Sequence, residues 1–243
     1  MPNNFFLFKQ FTVEQENCAM KVCTDACLFG AWVAAIIAGS AQHTSRILDI
    51  GAGTGLLSLM IAQKNNTGII DAVEIDNAAA IQADANFRAT LWKERLNIHH
   101  ASIQQFNQPA NKQYDFIICN PPFFENDLKS ADTKRNLALH SETLRLDELL
   151  EGIKINLKED GNFAVLLPFH RTKYFEEQCA LNKFYLVEKV LVKQTPQHKY
   201  FRSMLCFSRK QNVAVEKVIS IKDEGNEYSA EFKELLKDYY LYL

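Results

Sequence analysis

Short apolar runs alternate with longer stretches of helical periodicity along most of this chain, which predicts an α/β fold. Arg46–Ile50, Ile69–Asp76, Leu96–His100, Tyr114–Cys119 and Phe163–Pro168 have strand character. Helices are expected over Ala26–Gly39, Leu56–Ala62, Asn77–Trp92, Leu146–Leu157 and Arg171–Leu181, and a tyrosine-rich one over Glu231–Leu243. Ahead of them, the aromatic and β-branched stretches Phe5–Val13 and Ala19–Val22 are expected to pair as a small hairpin. Thr24 or Asp25 has the chemistry to cap the helix that follows, and Gly39 to end it. Glu159–Gly161 reads as a turn. Phe184–Val192 and Ser203–Ser208, joined by the polar, basic link Gln194–Arg202, predict a terminal antiparallel hairpin. The expected architecture is a doubly wound, mostly parallel seven-stranded sheet over residues 41–243, with residues 1–40 as a hairpin-and-helix appendage.

Composition narrows this picture. With 243 residues and 47% hydrophobic side chains, the chain can bury one substantial core. A net charge of −2 gives no global basic field, so a nucleic acid partner would have to meet a local patch. Cys18, Cys23, Cys27, Cys119, Cys179 and Cys206 contain no Cys-x-x-Cys pair. They are expected to be reduced thiols of a cytosolic protein, and no metal site is expected. The longest apolar stretch, Ala26–Gly39, is too short to span a bilayer, so no membrane partner is expected. A monomer is expected.

The candidate chemistry lies at two strand ends. The strand Tyr114–Cys119 runs into Asn120-Pro121-Pro122-Phe123-Phe124. Proline has no backbone N–H and a fixed φ, so the strand must stop at Asn120. The carboxyl edge of an α/β sheet is where ligands bind. An amide, rigid carbonyls and an aromatic ring suit the capture of a flat nucleobase amine, with Phe123 stacking on the base. Phe124 is either a second base contact or core. The other strand end carries Asp49, then Gly51-Ala52-Gly53-Thr54-Gly55 before a helix. Glycines let the backbone turn tightly and approach a ligand. The spacing is neither Gly-x-Gly-x-x-Gly nor that of a P-loop, which disfavours a dinucleotide pyrophosphate and excludes the P-loop. Glu74 follows about twenty residues after the last glycine, where an acid accepts hydrogen bonds from both ribose hydroxyls. Asp76 is expected to cap the next helix. Ser102, after the third strand, is placed to bond an adenine amine. His99 and His100 read as ordinary strand residues, and His140 with Glu142 as a helix-start pair.

Taken in order, Asp49-x-Gly51-x-Gly53-x-Gly55, Glu74 and Asn120-Pro121-Pro122-Phe123 resemble the class I, Rossmann-like S-adenosyl-L-methionine-dependent methyltransferases that act on amines. Phe8–Val13, Met20–Val22 with Thr24-Asp25, and Leu28–Trp32 are similar to the tRNA1(Val) (adenine-37-N6)-methyltransferase family. The resemblance runs over most of the chain, to Arg202. It implies S-adenosylmethionine as cofactor, held by Thr24, Asp49, Gly51, Gly53, Gly55, Glu74, Ser102 and Asn120. It implies the anticodon stem-loop of a valine tRNA as partner, with the adenine beside the anticodon as acceptor. Asn120, Pro121, Pro122 and Phe123 would form the catalytic clamp. Lys21, Lys129, Arg135 and Arg202 are the leading candidates for RNA contact beside Phe123, with Lys134 and Lys199 further candidates for phosphates. The Asn-Pro-Pro-Phe motif is shared with enzymes acting on rRNA guanine N2, DNA adenine and protein glutamine, which stay open as alternatives. So does a non-catalytic cofactor-binding subunit, although such a subunit has no need of an acceptor clamp.

Overall fold

The computed structural model describes residues 3–40, 44–106, 113–121 and 145–243. Strands β3 (Arg46–Ile50), β4 (Ile69–Glu74), β5 (Leu96–His100), β6 (Tyr114–Cys119), β7 (Leu157–Pro168), β8 (Tyr185–Lys193), β9 (Tyr200–Ser208) and β10 (Val215–Ser220) form one sheet. Its order is β10-β8-β9-β7-β6-β3-β4-β5. Only β9 runs against its neighbours β7 and β8; the other pairs are parallel. The expected seven strands and the antiparallel hairpin are present, and an eighth, β10, extends the sheet parallel to β8. That strand exposes Val215 to Val218 and buries only Ile219, so it carries little of the apolar signal of an interior strand.

Apolar residues at consecutive positions are what a sheet covered on both faces requires. Ile47, Phe116, Ile118, Ala164 and Leu166 belong to the core formed with α1 (Thr24–Gly39), α2 (Leu56–Lys64), α3 (Asn77–Arg88) and α6 (Ala230–Leu236). Their neighbours Leu48, Ile117, Cys119, Val165 and Leu167 belong to the core under α4 (Leu146–Asn156) and α5 (Thr172–Leu181). The period of two thus assigns Asp49 to the α1/α2 face, and there it meets Ser58 on α2.

Five local features differ from expectation. The N-terminal hairpin pairs β1 (Phe5–Leu7) with β2 (Thr12–Glu14), not with residues 19–22. Phe8 and Phe11 stack at 4.5 Å across its turn and are both buried. Helix α1 is preceded by Cys23 in extended conformation, with no side-chain cap; Thr24 and Asp25 lie inside its first turn, and Asp25 accepts from Arg202. Helix α3 ends at Arg88: the Thr90 hydroxyl donates to the Phe87 carbonyl, and Trp92 leaves to pack edge-on against Phe11. The C-terminal helix stops at Leu236, after which Tyr240 bridges to Phe8 and the Tyr239 hydroxyl donates to the Met60 carbonyl. Residues Glu159–Gly161 are not a free turn but lie within β7, where the register with β6 shifts between Tyr114 and Phe116.

The chain climbs β3, β4 and β5 outwards in one direction, then crosses back to β6 on the other side of β3. The carboxyl ends of β3 and β6 therefore flank the topological switch point, where such sheets leave a crevice. Ile50 pairs with Cys119, so Gly51 and Asn120 leave the sheet side by side, one strand spacing apart or about 4.8 Å.

Candidate active site

The turn after β3 is shaped by positions that only glycine fills without strain. Gly55 has φ +80°, and a Cβ there would sit 2.5 Å from the Phe87 ring of α3. Gly53 has φ +55° and donates its N–H to Glu74 Oε2 at 2.8 Å. The Gly51 and Ala52 N–H groups both donate to the Val73 carbonyl, at 2.8 and 3.1 Å. The turn is thus clipped to the end of β4 at three backbone positions.

Glu74 is the centre of that clip. It is buried, its Oε1 accepts the Asp76 N–H at 2.9 Å, and its own carbonyl accepts the Ala101 N–H at 3.0 Å. Each carboxylate oxygen can accept two hydrogen bonds, so both retain capacity for a vicinal diol. Asp76 caps α3 as expected, accepting the Ala79 N–H at 2.8 Å. Between the two acids, Ile75 is 58% exposed, an apolar side chain left open at the strand end.

Asp49 lies beneath the turn and is fully buried. Its Oδ2 accepts from the Ser58 hydroxyl at 2.7 Å, while Oδ1 has no partner. Burial, opposed by the Ser58 bonds and reinforced by the Glu74 charge, pushes its carboxyl up to about 7. Ser102 is half-buried and opens the turn after β5, its carbonyl accepting the Gln105 and Phe106 N–H groups at 3.0 Å. Cys18 lies in the field of Glu74: burial first, then that charge, raises its thiol to about 11.

Asn120 is half-buried and Pro121 is buried at the end of β6. Pro122, Phe123, Phe124, Lys129, Lys134, Arg135, His140 and Glu142 lie outside the described residues. Thr24 opens α1, half-buried. Lys21 donates to the carbonyls of Gln15 and, at 3.4 Å, Glu16, so it braces the segment ahead of α1. Arg202 donates to Asp25 Oδ2 at 2.8 Å, joining the start of β9 to the start of α1. His99 Nε2 lies 3.6 Å from Asp71, away from the turn, and His100 touches the Ile75 carbonyl at 3.0 Å.

One polar residue escaped the sequence reading. Asn86 accepts the Glu14 N–H at 3.0 Å, and its amide donates to the Glu14 carbonyl at 2.8 Å and the Thr54 carbonyl at 2.9 Å. It sews the N-terminal hairpin to the glycine turn. Its signal was faint: an asparagine is a poor helix former, and one in the last turn of a helix gives no sign of a tertiary partner in the sequence. Among the described residues no group of three His, Cys, Asp or Glu side chains could hold a metal ion. Among them, too, no helix is long and apolar enough to cross a membrane.

Comparison with known proteins agrees with this geometry. The model of the family described as "Methyltransferase small domain" matches residues 34–166. A protein of Dyadobacter fermentans named tRNA1(Val) (adenine(37)-N6)-methyltransferase is 44% identical over 99% of both chains. Among solved structures, a predicted O-methyltransferase from Agrobacterium tumefaciens superposes with TM-score 0.67 at 13% identity, covering 88% of this chain and 96% of that one. The N-terminal domain of human METTL16, solved in complex with SAH, gives 0.52 at 16% identity, covering 79% and 73%.

Proposed function

Because this chain belongs to the tRNA1(Val) (adenine(37)-N6)-methyltransferase family, we propose that it methylates N6 of the adenine beside the anticodon of a valine tRNA. S-adenosylmethionine is its methyl donor. The observation that carries the proposal is the register Ile50↔Cys119, which sets the glycine turn and Asn120 on adjacent strand ends.

The residues present fit the cofactor. The turn offers backbone without Cβ atoms at Gly51, Gly53 and Gly55. Glu74 keeps free lone pairs for the ribose hydroxyls, and Ile75 offers an exposed apolar face suited to a purine. Ser102 would serve the adenine amine, and Thr24 with Asp49 the amino-acid end, where a cation would return Asp49 towards its charged form. Bound there, S-adenosylmethionine supplies an electrophilic methyl group.

The protein's own task is to present the acceptor. The lone pair of an exocyclic aromatic amine is delocalised into its ring and attacks poorly. If the Asn120 side-chain oxygen and the Pro121 carbonyl accept the two amine hydrogens, the nitrogen is drawn towards tetrahedral geometry and its lone pair is aimed. Pro121 and Pro122 keep those acceptors rigid, and Phe123 stacks on the base. No strong base is required, and the gain lies in orientation and fixed dipoles. The target base must leave its stack, which an anticodon loop permits. We place the reaction in the cytoplasm, with a monomeric enzyme whose six cysteines are unpaired.

Labelled S-adenosylmethionine with separate pools of tRNA, rRNA, DNA and protein tests this reading. Label is expected in tRNA. Label confined to another pool would move the same clamp to a different amine.

A further inference from the structure

The carboxyl edge of the sheet continues beyond Asn120 into a surface that the cofactor does not need. Cys119 pairs with Val165, so Asn120 falls beside Leu166, and β7 runs on only to Pro168 before Phe169. Phe169 begins a short 3-10 turn, Phe169–Arg171, and is 40% exposed although it is a large apolar ring. It contacts the ring of Tyr200 on β9, with centroids 5.2 Å apart and planes inclined by 48°. The Lys193 ammonium stands 4.9 Å over that tyrosine.

The arrangement is built, not a chance of exposure. Under the turn, the buried hydroxyls of Thr172 and Ser203 are 2.6 Å apart and tie it to β9. Lys193 also donates to the Pro196 carbonyl at 3.1 Å, and the His198 N–H donates to the Thr195 carbonyl at 3.1 Å. The Thr195 hydroxyl and His198 Nδ1 are 2.7 Å apart. The β8–β9 loop is thereby folded on itself, with Lys199 exposed beside Tyr200 and Arg171 exposed beside Phe169. A chain of net charge −2 has no general surplus of cations, so their gathering around two rings at the reacting edge is informative.

Aromatic rings interleaved with cations bind single-stranded nucleic acid, the rings stacking on bases and the cations meeting phosphates. We propose that Phe169, backed by Tyr200 and Lys193, stacks a loop nucleotide that neighbours the methylated base, so that this edge of β7–β9 is the RNA-docking surface. The proposal rests on RNA being the substrate. It differs from the Asn120 clamp, since it contributes to RNA affinity and not to the aiming of the amine. The platform stands one strand spacing from β6 and a few residues further along the chain, within reach of a nucleotide adjacent to one held at Asn120.

The test uses the full-length protein, a valine tRNA transcript and S-adenosylmethionine. The variants Phe169→Ala and Phe169→Trp are compared with the parent for tRNA Kd, tRNA KM and cofactor KM. Stacking of one base predicts that Phe169→Ala weakens tRNA binding and raises tRNA KM roughly 5- to 150-fold. Cofactor KM should stay within about twofold and Phe169→Trp should restore tRNA binding. An unchanged tRNA Kd in Phe169→Ala, or an equal change in cofactor KM, overturns the platform while leaving tRNA methylation by the parent intact. If the parent binds the transcript in a Phe169-dependent way but transfers no methyl to it, the platform stands and the choice of substrate falls. If the parent binds no tRNA, both fall.

Discussion

Replacing Glu74 by Gln changes one carboxylate oxygen into an amide NH2 and leaves the shape of the side chain nearly intact. In the parent, Oε2 accepts the Gly53 N–H at 2.8 Å and Oε1 accepts the Asp76 N–H at 2.9 Å. A glutamine has a single acceptor oxygen, so whichever way it turns, its amide NH2 faces one of those N–H groups. One charge-assisted hydrogen bond is lost, worth about 1.5–3 kcal/mol, and a donor is set against a donor. On the proposed ribose contact, the second acceptor for the diol disappears with it. Losing one such bond to the ligand alone corresponds to roughly 10- to 150-fold in cofactor affinity. Titration calorimetry with S-adenosylmethionine measures that loss, and thermal unfolding without cofactor measures the cost to the turn. Glu74→Gln is expected to lower both affinity and Tm, with the affinity still reduced at temperatures where the variant is fully folded. Parent-like affinity in a folded variant would show that Glu74 only pins the turn, and the ribose assignment would be wrong.

Three further changes probe separate parts of the site. Asn86→Ala strips partners from the Glu14 N–H, the Glu14 carbonyl and the Thr54 carbonyl. A loss of about 2–4 kcal/mol in urea unfolding is expected, together with weaker cofactor binding; a change below about 1 kcal/mol would mean that the seam between hairpin and turn carries no weight. Asn120→Ala should keep cofactor affinity within twofold while single-turnover methyl transfer falls on the order of 100-fold or more; equal losses in both would make Asn120 a support of the cofactor pocket. Asp49, raised to about 7, holds its proton more tightly folded than unfolded. The folded state therefore binds more protons between its unfolded value near 3.9 and about 7, and this group's contribution to stability declines as pH rises through that window, by at most about 1.4 kcal/mol per pH unit. Asp49→Asn removes that slope, so the Tm of the variant minus that of the parent should grow from pH 4 to pH 7; a flat difference contradicts the buried, proton-holding carboxyl.

Sequence patterning revealed the interior of the sheet because β3, β4, β6 and β7 are apolar on both faces, a pattern few other elements share. It also located the glycine turn, Glu74 and Asn120, since each marks a strand end that the backbone must leave. What it missed depends on partners distant in the chain. The eighth strand exposes Val215 and Val218 on an edge, and only its pairing with β8 makes it a strand. Arg202 gave no sign of its partner Asp25, 177 positions away in the chain and 2.8 Å distant in space. Lys21 likewise gave no sign that its ammonium would reach the backbone carbonyls of its own segment. Phe169 gave no periodic signal at all. Its meaning comes from the contact with Tyr200, which requires β7 and β9 to be neighbours.

The position at which the methyl group arrives tests the proposed activity most directly. A valine tRNA transcript is treated with the protein and labelled S-adenosylmethionine, then digested and read by mass spectrometry of the fragment carrying the adenine beside the anticodon. The expected result is one methyl group per transcript, recovered as N6-methyladenosine at that position, and no incorporation when that adenosine is replaced by guanosine. Incorporation that survives the replacement, or that is recovered on a guanine amine, would contradict the assignment of the Asn120–Phe123 clamp to adenine N6.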